Sequence, residues 1–279
     1  MGQGFSRVVL AVVLAVAAGS AAAQAPQVVT YKTAGEQALS AHLFAPSDVA
    51  ARPRPAILMF HGGGWVAGEP AWTYPAARRM QAQGLVAIPI EYRLSGETAT
   101  PADALSDACD AFAWLRAHAA ELGVDPQRVA GYGVSAGGHL VAAAGLGGCA
   151  EGIKGPDLLL LWSPALDLAQ DGWVRRLLGG ADPATISPLS LAARGGPPAV
   201  IVQGAADTLT PARGAQAFCA ALVQANGACD LHLYPSLGHL LTRNLDNQES
   251  DFDPDPVARA DGEARLDAFL VAHGYGSKP

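Results

Sequence analysis

Residues 128–138 read Arg-Val-Ala-Gly-Tyr-Gly-Val-Ser-Ala-Gly-Gly, and this stretch decides the fold. Its first half has the apolar character of a buried strand, and a helical pattern begins directly after Ser135. Gly133 and Gly137 flank the serine in the pattern G-x-S-x-G, since small residues are needed for so sharp a turn between a strand and a helix. The pattern predicts that the Ser135 hydroxyl projects above the edge of a sheet, where the helix N-terminus stabilises developing negative charge.

The same residues offer a second interpretation. Gly131 to Ala136 match the looser fingerprint G-x-G-x-x-A, which is typical of dinucleotide-binding domains. That fingerprint normally follows the first strand of its domain, whereas several predicted strands precede Gly131. We therefore interpret Ser135 as a nucleophile rather than as part of a nucleotide-binding loop.

Outward from this turn, short apolar runs alternate with helical patterns, which indicates an α/β protein with a mostly parallel central sheet and helices on both faces. Strands are predicted at 28–32, 41–44, 56–60, 85–92, 128–133, 158–162, 199–203 and 231–234. Helices are predicted at 74–83, 101–122, 136–146, 211–224 and 256–272. We interpret residues 24–279 as one domain of this kind.

A serine is a weak nucleophile until a base takes its proton, and in proteins with this strand–serine–helix turn the acid and then the histidine follow the serine. His232 lies within a predicted strand and His273 lies near the end of the chain. His239 lies in a loop just past a predicted strand. We predict that His239 is the base.

The acid that orients the histidine has two candidates. Asp207 follows the predicted strand 199–203 in a short turn, which brings its carboxylate to the same sheet edge as the serine. Asp167 follows the preceding strand and is the alternative. We favour Asp207.

A glycine-rich turn supplies the remaining requirement, a site for the oxyanion. His61-Gly62-Gly63-Gly64-Trp65 directly follows the predicted strand 56–60, so its backbone N–H groups are not shielded by side chains. We predict that Gly63, Gly64 and the amide of Ala136 form the oxyanion hole. Each such donor is typically worth about 3 kcal/mol in the transition state.

Several motifs together carry a resemblance to a known family. They are His61-Gly62-Gly63-Gly64-Trp65, Glu91-Tyr92-Arg93-Leu94, Gly133-Val134-Ser135-Ala136-Gly137-Gly138, Ile186-Ser187-Pro188-Leu189, Gly204-Ala205-Ala206-Asp207 and Gly238-His239. In these motifs the chain resembles esterases of the α/β-hydrolase superfamily related to feruloyl and acetyl-xylan esterases, and more distantly hormone-sensitive lipase. The resemblance implies an α/β-hydrolase fold and hydrolysis of carboxylic esters with no metal and no organic cofactor.

The expected substrates are short-acyl esters, either small molecules or esters linked to carbohydrate. No large cap precedes the sheet, which predicts an open and shallow site. Trp65, Trp72 and Trp173 are candidates for the rim, where Trp65 would contact substrate and the rings could stack on a sugar or an aromatic group. The alternatives are an amidase, an arylformamidase or a peptidase on the same triad, and a hydrolase-fold binding protein without catalysis.

The charge of the chain excludes some partners. The formal net charge is −7 and no basic patch interrupts it. Affinity for nucleic acid or for an anionic membrane surface therefore has no electrostatic basis.

The first residues predict export. Arg7 forms a positive region, residues 8–18 an apolar stretch and residues 21–23 a small-residue cleavage site, so residues 1–23 are interpreted as a signal peptide. A membrane anchor is the alternative, but the apolar run is shorter than the roughly 20 residues that span a bilayer. We expect a periplasmic or secreted protein with no membrane attachment in its mature form.

Four cysteines in an exported chain indicate two disulfides, and three connectivities are possible. Pairing Cys219 with Cys229 gives a short local link between a helix and the next strand, which leaves Cys109 with Cys149. Buried free thiols are the alternative.

Residues 242–254 form a polar, acidic segment after His239. Asp251, Asp253 and Asp255 alternate like calcium ligands, yet Pro256 stands where an EF-hand loop needs glycine. We interpret the segment as a solvated loop, and we predict no metal site.

Overall fold

Six parallel strands form the central sheet of the structure, a computed structural model that describes residues 25–48 and 53–276. In spatial order the strands are β4 (Val86–Pro89), β3 (Arg54–Phe60), β5 (Val124–Val134), β6 (Leu158–Trp162), β7 (Ala199–Gly204) and β8 (Cys229–Tyr234). β3, β6 and β7 consist mostly of fully buried residues, as expected for parallel strands that are covered on both faces. The predicted signal peptide, residues 1–23, lies outside the described residues.

An antiparallel hairpin precedes the sheet. β1 (Gln27–Ala34) and β2 (Gln37–Leu43) form a separate two-stranded sheet, and single bridges at Ala41–Ile90 and Phe44–Ala87 join it to the β4 edge. The hairpin therefore covers an edge that would otherwise be open.

Helices cover both faces of the sheet. They are α1 (Tyr74–Ala82), α2 (Pro101–Ala117), α3 (Ala136–Gly145), α4 (Gly172–Leu177), α5 (Pro188–Ala192), α6 (Ala212–Gln224) and α7 (Pro256–Ala272). The core on one face contains residues of α1 and α7, and the core on the other contains residues of α2, α3, α5 and α6. The segment between β6 and β7 carries only the short helices α4 and α5, so this part of the chain forms no large cap. The predicted fold class is confirmed.

Two predicted elements extend three or more residues beyond the end of the observed ones. The predicted strand 85–92 ends at Pro89, and the chain then contacts the hairpin, since Glu91 N–H donates to the Ser40 carbonyl. The predicted helix 101–122 ends at Ala117, and the Trp114 carbonyl there accepts from the His118 backbone N–H and lies 2.9 Å from the His118 ring.

Both proposed disulfides are present. Cys109 of α2 pairs with Cys149, which follows α3, and the two Cα atoms lie 5.6 Å apart. Cys219 of α6 pairs with Cys229 of β8 across 5.3 Å. These distances lie within the ordinary range for disulfides. The first bond links α2 to the end of the helix that begins after Ser135.

A buried carboxylate joins the hairpin to α2. The Asp107 side chain is fully buried and accepts hydrogen bonds from the backbone N–H and the guanidinium of Arg93 and from the Lys32 ammonium. Arg93 belongs to the Glu-Tyr-Arg-Leu motif, whose arginine thus has a structural partner. Within residues 25–48 and 53–276, no helix combines the length and apolarity needed to cross a bilayer.

Candidate active site

The turn between β5 and α3 holds Ser135 in a strained conformation. Its φ of 54° and ψ of −115° lie in a region that side-chain-bearing residues rarely adopt. A Cβ on Gly133 would lie 2.3 Å from the Gly137 carbonyl oxygen, and one on Gly137 would lie 2.2 Å from the Phe60 carbonyl oxygen. The two glycines are therefore required by close backbone approach, as the G-x-S-x-G pattern predicts.

The structure brings together the three side chains that the sequence singles out. His239 Nε2 lies 3.1 Å from Ser135 Oγ, and His239 Nδ1 lies 2.8 Å from Asp207 Oδ2. Ser135 follows β5, Asp207 follows β7 and His239 follows β8, so all three lie at the carboxyl edge of the sheet. This geometry allows His239 to take the serine proton while Asp207 orients the imidazole.

Four hydrogen bonds hold the Asp207 carboxylate, whose side chain is fully buried. Oδ1 accepts from the backbone N–H groups of Leu209 and Thr210, and Oδ2 accepts from Gln203 Nε2 and the Thr210 hydroxyl. Such a set fixes one orientation of the carboxylate. Asp167, the alternative acid, is exposed and lies outside this hydrogen-bond network.

The glycine turn after β3 presents free backbone donors beside the serine. Gly63 and Gly64 have φ values of 101° and 59°, and a Cβ on Gly62 would lie 3.3 Å from Ser135 Cβ. Within the described part of the chain, no acceptor binds the N–H groups of Gly63, Gly64 or Ala136. These are the three donors expected for the oxyanion hole, and they are available to a ligand.

Trp65 ends the glycine turn and also has a left-handed backbone conformation, with a φ of 65°. It is only 4% exposed, and its indole N–H donates to His139 Nδ1 at 3.1 Å. His139 Nε2–H donates in turn to the Ile186 carbonyl, which fixes the tautomer. Burial lowers the pKa of His139 to about 4, so the ring is neutral and Nδ1 can accept. Sequence reasoning assigned His139 no role.

The His61 side chain packs against the same turn. Its ring stacks on Tyr92 with centroids 4.3 Å apart, and the Tyr92 hydroxyl donates to the His61 carbonyl. Burial lowers the pKa of His61, so the imidazole is neutral. His61, the residue that begins the glycine motif, thus packs against the turn and does not contact the triad.

A buried glutamine links the loops that carry the acid and the base. Gln248 Oε1 accepts from the backbone N–H groups of Thr208 and His239, and its Nε2 donates to the Ala206 carbonyl. The sequence predicts that the segment 242–254 is a solvated loop. That prediction is wrong for Gln248, which belongs to this segment and is 5% exposed.

A cavity of ≈ 810 Å³ contains Ser135 and His239 in its wall. Its lining includes the glycine turn, parts of α1 and α7, and residues 249, 252 and 254 of the loop after His239. The expectation of a shallow site is wrong, because the cavity continues beside α1 and α7 to Tyr132 and Trp162. The volume lies in the range of ligand-binding pockets.

The three tryptophans expected at the rim have different environments. Trp72 and Trp173 are 57% and 44% exposed, and both line the cavity. Trp65 also borders the cavity, but it is buried and hydrogen-bonded to His139. The main contact of Trp65 is therefore with the protein, and Trp72 and Trp173 form the accessible aromatic surface.

The described residues contain no cluster of side chains suited to a metal ion. In the loop after His239, Asp253 instead pairs with Arg243, and Asp251 accepts from Asn244. The carboxylates that resembled calcium ligands thus have protein partners.

Known proteins share this sequence pattern and architecture. Carboxylesterase NlhH of Mycobacterium tuberculosis is 40% identical over 114 residues, which are 39% of this chain and 34% of that protein. Hormone-sensitive lipase of Homo sapiens is 34% identical over 161 residues, which are 57% of this chain and 14% of that protein. The chain thus spans well under two thirds of the length of these curated relatives.

Solved structures extend the similarity to almost the whole chain. Thermogutta terrifontis esterase 2 phosphoramylated by tabun has 30% identity and a TM-score of 0.80, covering 92% of this chain and 98% of that chain. The propionate-bound form of the same esterase has 31% identity and a TM-score of 0.79, covering 91% of this chain and 97% of that chain. Residues 57–178 match a protein family whose description is alpha/beta hydrolase fold. The chain belongs to the α/β-hydrolase family.

Proposed function

We propose that this protein is a serine carboxylesterase that hydrolyses short-acyl esters. The observation that carries the proposal is the continuous hydrogen-bonded arrangement of Ser135, His239 and Asp207 beside unoccupied backbone donors of the glycine turn. A binding protein would have no need for a strained serine within reach of a histidine and a buried carboxylate.

The reaction proceeds in two steps. His239 Nε2 takes the Ser135 proton as Oγ attacks the acyl carbon, and the oxyanion accepts hydrogen bonds from Gly63, Gly64 and Ala136. The imidazolium then gives its proton to the leaving alcohol, which leaves an acyl-enzyme. Water, activated by His239, hydrolyses that ester and releases the acid. The residues involved supply all the proton transfers, so no cofactor is required by this scheme.

A short acyl group is supported by the similarity to esterase 2. That enzyme has been solved with propionate and with butyrate bound. The relatives whose names describe an activity on esters include a carboxylesterase and an arylesterase. Small-molecule esters are therefore the first substrates to examine.

The alcohol is proposed to be bulky or linked to carbohydrate. Trp72 and Trp173 expose their rings at the wall of an open cavity, where each ring offers a face for stacking on a sugar or an aromatic group. The motif resemblance to feruloyl and acetyl-xylan esterases supports the same class. A panel of acetyl, butyryl, feruloyl and acetylated-sugar esters ranks these possibilities by kcat/KM.

We also propose that residues 1–23 are a cleaved signal peptide and that the mature protein is periplasmic or secreted. The leader pattern supports this, and the two disulfides are of a kind that persists in oxidising compartments. The mass of the protein purified from periplasm or medium tests it, and a chain retaining residues 1–23 would contradict cleavage.

The central experiment compares the wild-type protein with Ser135→Ala. A fluorophosphonate probe should label the wild type and not the variant, and turnover of p-nitrophenyl acetate should fall by on the order of 10⁴-fold or more. Matched ester and amide substrates separate an esterase from an amidase. Full activity of Ser135→Ala would overturn the proposal.

A further inference from the structure

The cavity beside Ser135 has an arm that the proposed reaction does not use. We define the arm by the residues that line it between α1, α7 and the sheet: Ala76, Arg79, Tyr132, Trp162, Arg259 and Glu263. These residues belong to the same cavity as Ser135 and His239. Along β5, Tyr132 precedes Ser135 by three residues, so their Cα atoms are about 10 Å apart at the usual strand rise.

Tyr132 places a polar group in this arm. The residue is 7% exposed and lines the cavity, yet within the described residues its hydroxyl has no hydrogen-bond partner. The hydroxyl is open to the cavity, where a ligand can supply the partner that a phenol usually has. Burial raises the pKa of Tyr132 to about 12, so the hydroxyl keeps its proton and can both donate and accept.

The charges around the hydroxyl are already paired. Arg79 forms an ion pair with Asp267 and lies 3.9 Å from Glu263, and Arg259 pairs with Glu263 at 3.2 Å. The charges of these two basic and two acidic side chains sum to zero at this end of the arm. A neutral hydrogen-bonding group therefore suits the arm, because the charged side chains beside it already have partners.

The remaining walls are apolar. Ala76 leaves space on α1, and the Trp162 ring, at 7% exposure, lies against α7, where a Cβ on Gly262 would approach it to 2.9 Å. An apolar stem followed by a polar end matches this lining.

We infer that the arm binds the alcohol part of the ester, and that the Tyr132 hydroxyl hydrogen-bonds to a free hydroxyl of that alcohol. The inference rests on the proposed function, in which the acyl group is short and His239 gives its proton to the leaving alcohol. Leu240, which follows His239 in the chain, also lines the cavity, and His239 is the group that protonates the leaving alcohol. The substrate class is thus an ester of a hydroxylated alcohol with a free hydroxyl distant from the ester.

The test compares acetate esters of straight-chain alcohols with monoacetates of α,ω-diols of the same length, over a series of lengths. The wild type should prefer the diol monoacetate once the chain spans the arm. In Tyr132→Phe the ratio of the two kcat/KM values should fall by about 2- to 10-fold, as expected for one lost hydrogen bond. Because it is a ratio, the result does not depend on how much of the variant is folded.

Two further variants sharpen the test. Tyr234→Phe removes a phenol whose hydroxyl donates to Asp261 at the surface, outside the cavity, and it should leave the ratio unchanged. Ala76→Leu narrows the arm and should lower the rate on long alkyl acetates relative to ethyl acetate.

The possible results of this test distinguish a failure of the inference from a failure of the proposed function. Equal rates on both ester series, or an unchanged ratio in Tyr132→Phe, would overturn the inference while Ser135-dependent hydrolysis of ethyl acetate upheld the proposed function. A dependence on Tyr132 confined to p-nitrophenyl esters of ω-hydroxy acids would overturn the assignment to the alcohol. Absence of hydrolysis of every ester would overturn the proposed function and the inference with it.

Discussion

The indole N–H of Trp65 donates a hydrogen bond to Nδ1 of His139, and this bond joins the glycine turn to the helix that begins after Ser135. Trp65 is left-handed, which costs roughly 1–3 kcal/mol for a residue with a side chain. The surrounding contacts must therefore hold it in place. The proposed oxyanion donors of Gly63 and Gly64 lie directly before it in the chain, so their direction depends on this bond.

Replacing Trp65 by phenylalanine should lower kcat more than it raises KM. The ring volume is largely kept while the N–H is lost, so the glycine turn can shift away from the position of the oxyanion. We expect kcat to fall by about 10-fold or more, because oxyanion contacts strengthen in the transition state. Steady-state kinetics on p-nitrophenyl acetate measures this, and Trp114→Phe on α2 is the control. A variant that only melts at lower temperature, with kcat unchanged, would show Trp65 to be purely structural.

The neutral His139 ring predicts a loss of stability in acid. Its pKa is lowered to about 4 by burial, against about 6.5 for an unfolded histidine. Between these values the unfolded chain binds a proton that the folded protein does not, so the free energy of unfolding falls as the pH is lowered from about 6.5 to about 4. The full effect is about 3 kcal/mol.

His139→Gln tests this origin, since glutamine can accept from Trp65 and donate to Ile186 without titrating. Urea unfolding of both proteins at a series of pH values should give a shallower dependence for the variant. Identical pH slopes would assign the acid sensitivity to another group.

Gln248→Ala should reduce turnover although the residue contacts no substrate in the proposed mechanism. Its amide fixes the backbone of both His239 and Thr208, and small displacements of catalytic groups are costly. We expect kcat/KM to fall between about 10- and 100-fold. Asn247→Ala, on the exposed side of the same loop, is the matched control. Equal losses in both variants would indicate general loosening of the loop.

The buried Asp107 carboxylate should matter for stability. Asp107→Ala leaves Arg93 and Lys32 without their shared partner and should cost about 3–5 kcal/mol of unfolding free energy. Asp110, which also pairs with Lys32, is 39% exposed, and its replacement by alanine should cost less than about 1 kcal/mol. Chemical denaturation distinguishes the two, and similar losses would contradict a special role for burial.

The sheet and its long helices could be predicted because their apolar patterns extend over many residues. α4 and α5 were not predicted, since six and five residues are too few to establish a helical period. The predicted strand 85–92 was too long because apolar character continues into residues that pack on the hairpin. Such tertiary contacts leave no periodic signal in the sequence.

The triad candidates could be predicted because the turn around Ser135 has a strict pattern and the chain order limits the histidine and the acid. The supporting residues could not. His139 and Gln248 act on backbone groups of Ile186, Thr208 and His239, which any residue type provides. One local signal existed for the turn of Asp207, since an aspartate in a turn commonly accepts from the backbone N–H two residues on, which here belongs to Leu209.

The position of His239 after β8 couples chemistry to assembly of the sheet. β8 pairs with β7 alone among the described strands, which makes it an edge strand, and the Cys219–Cys229 disulfide ties it to α6. His239 reaches Ser135 only when this edge is docked, because the loop that carries it follows β8. Local opening at this edge therefore stops proton transfer even while the rest of the core stays folded.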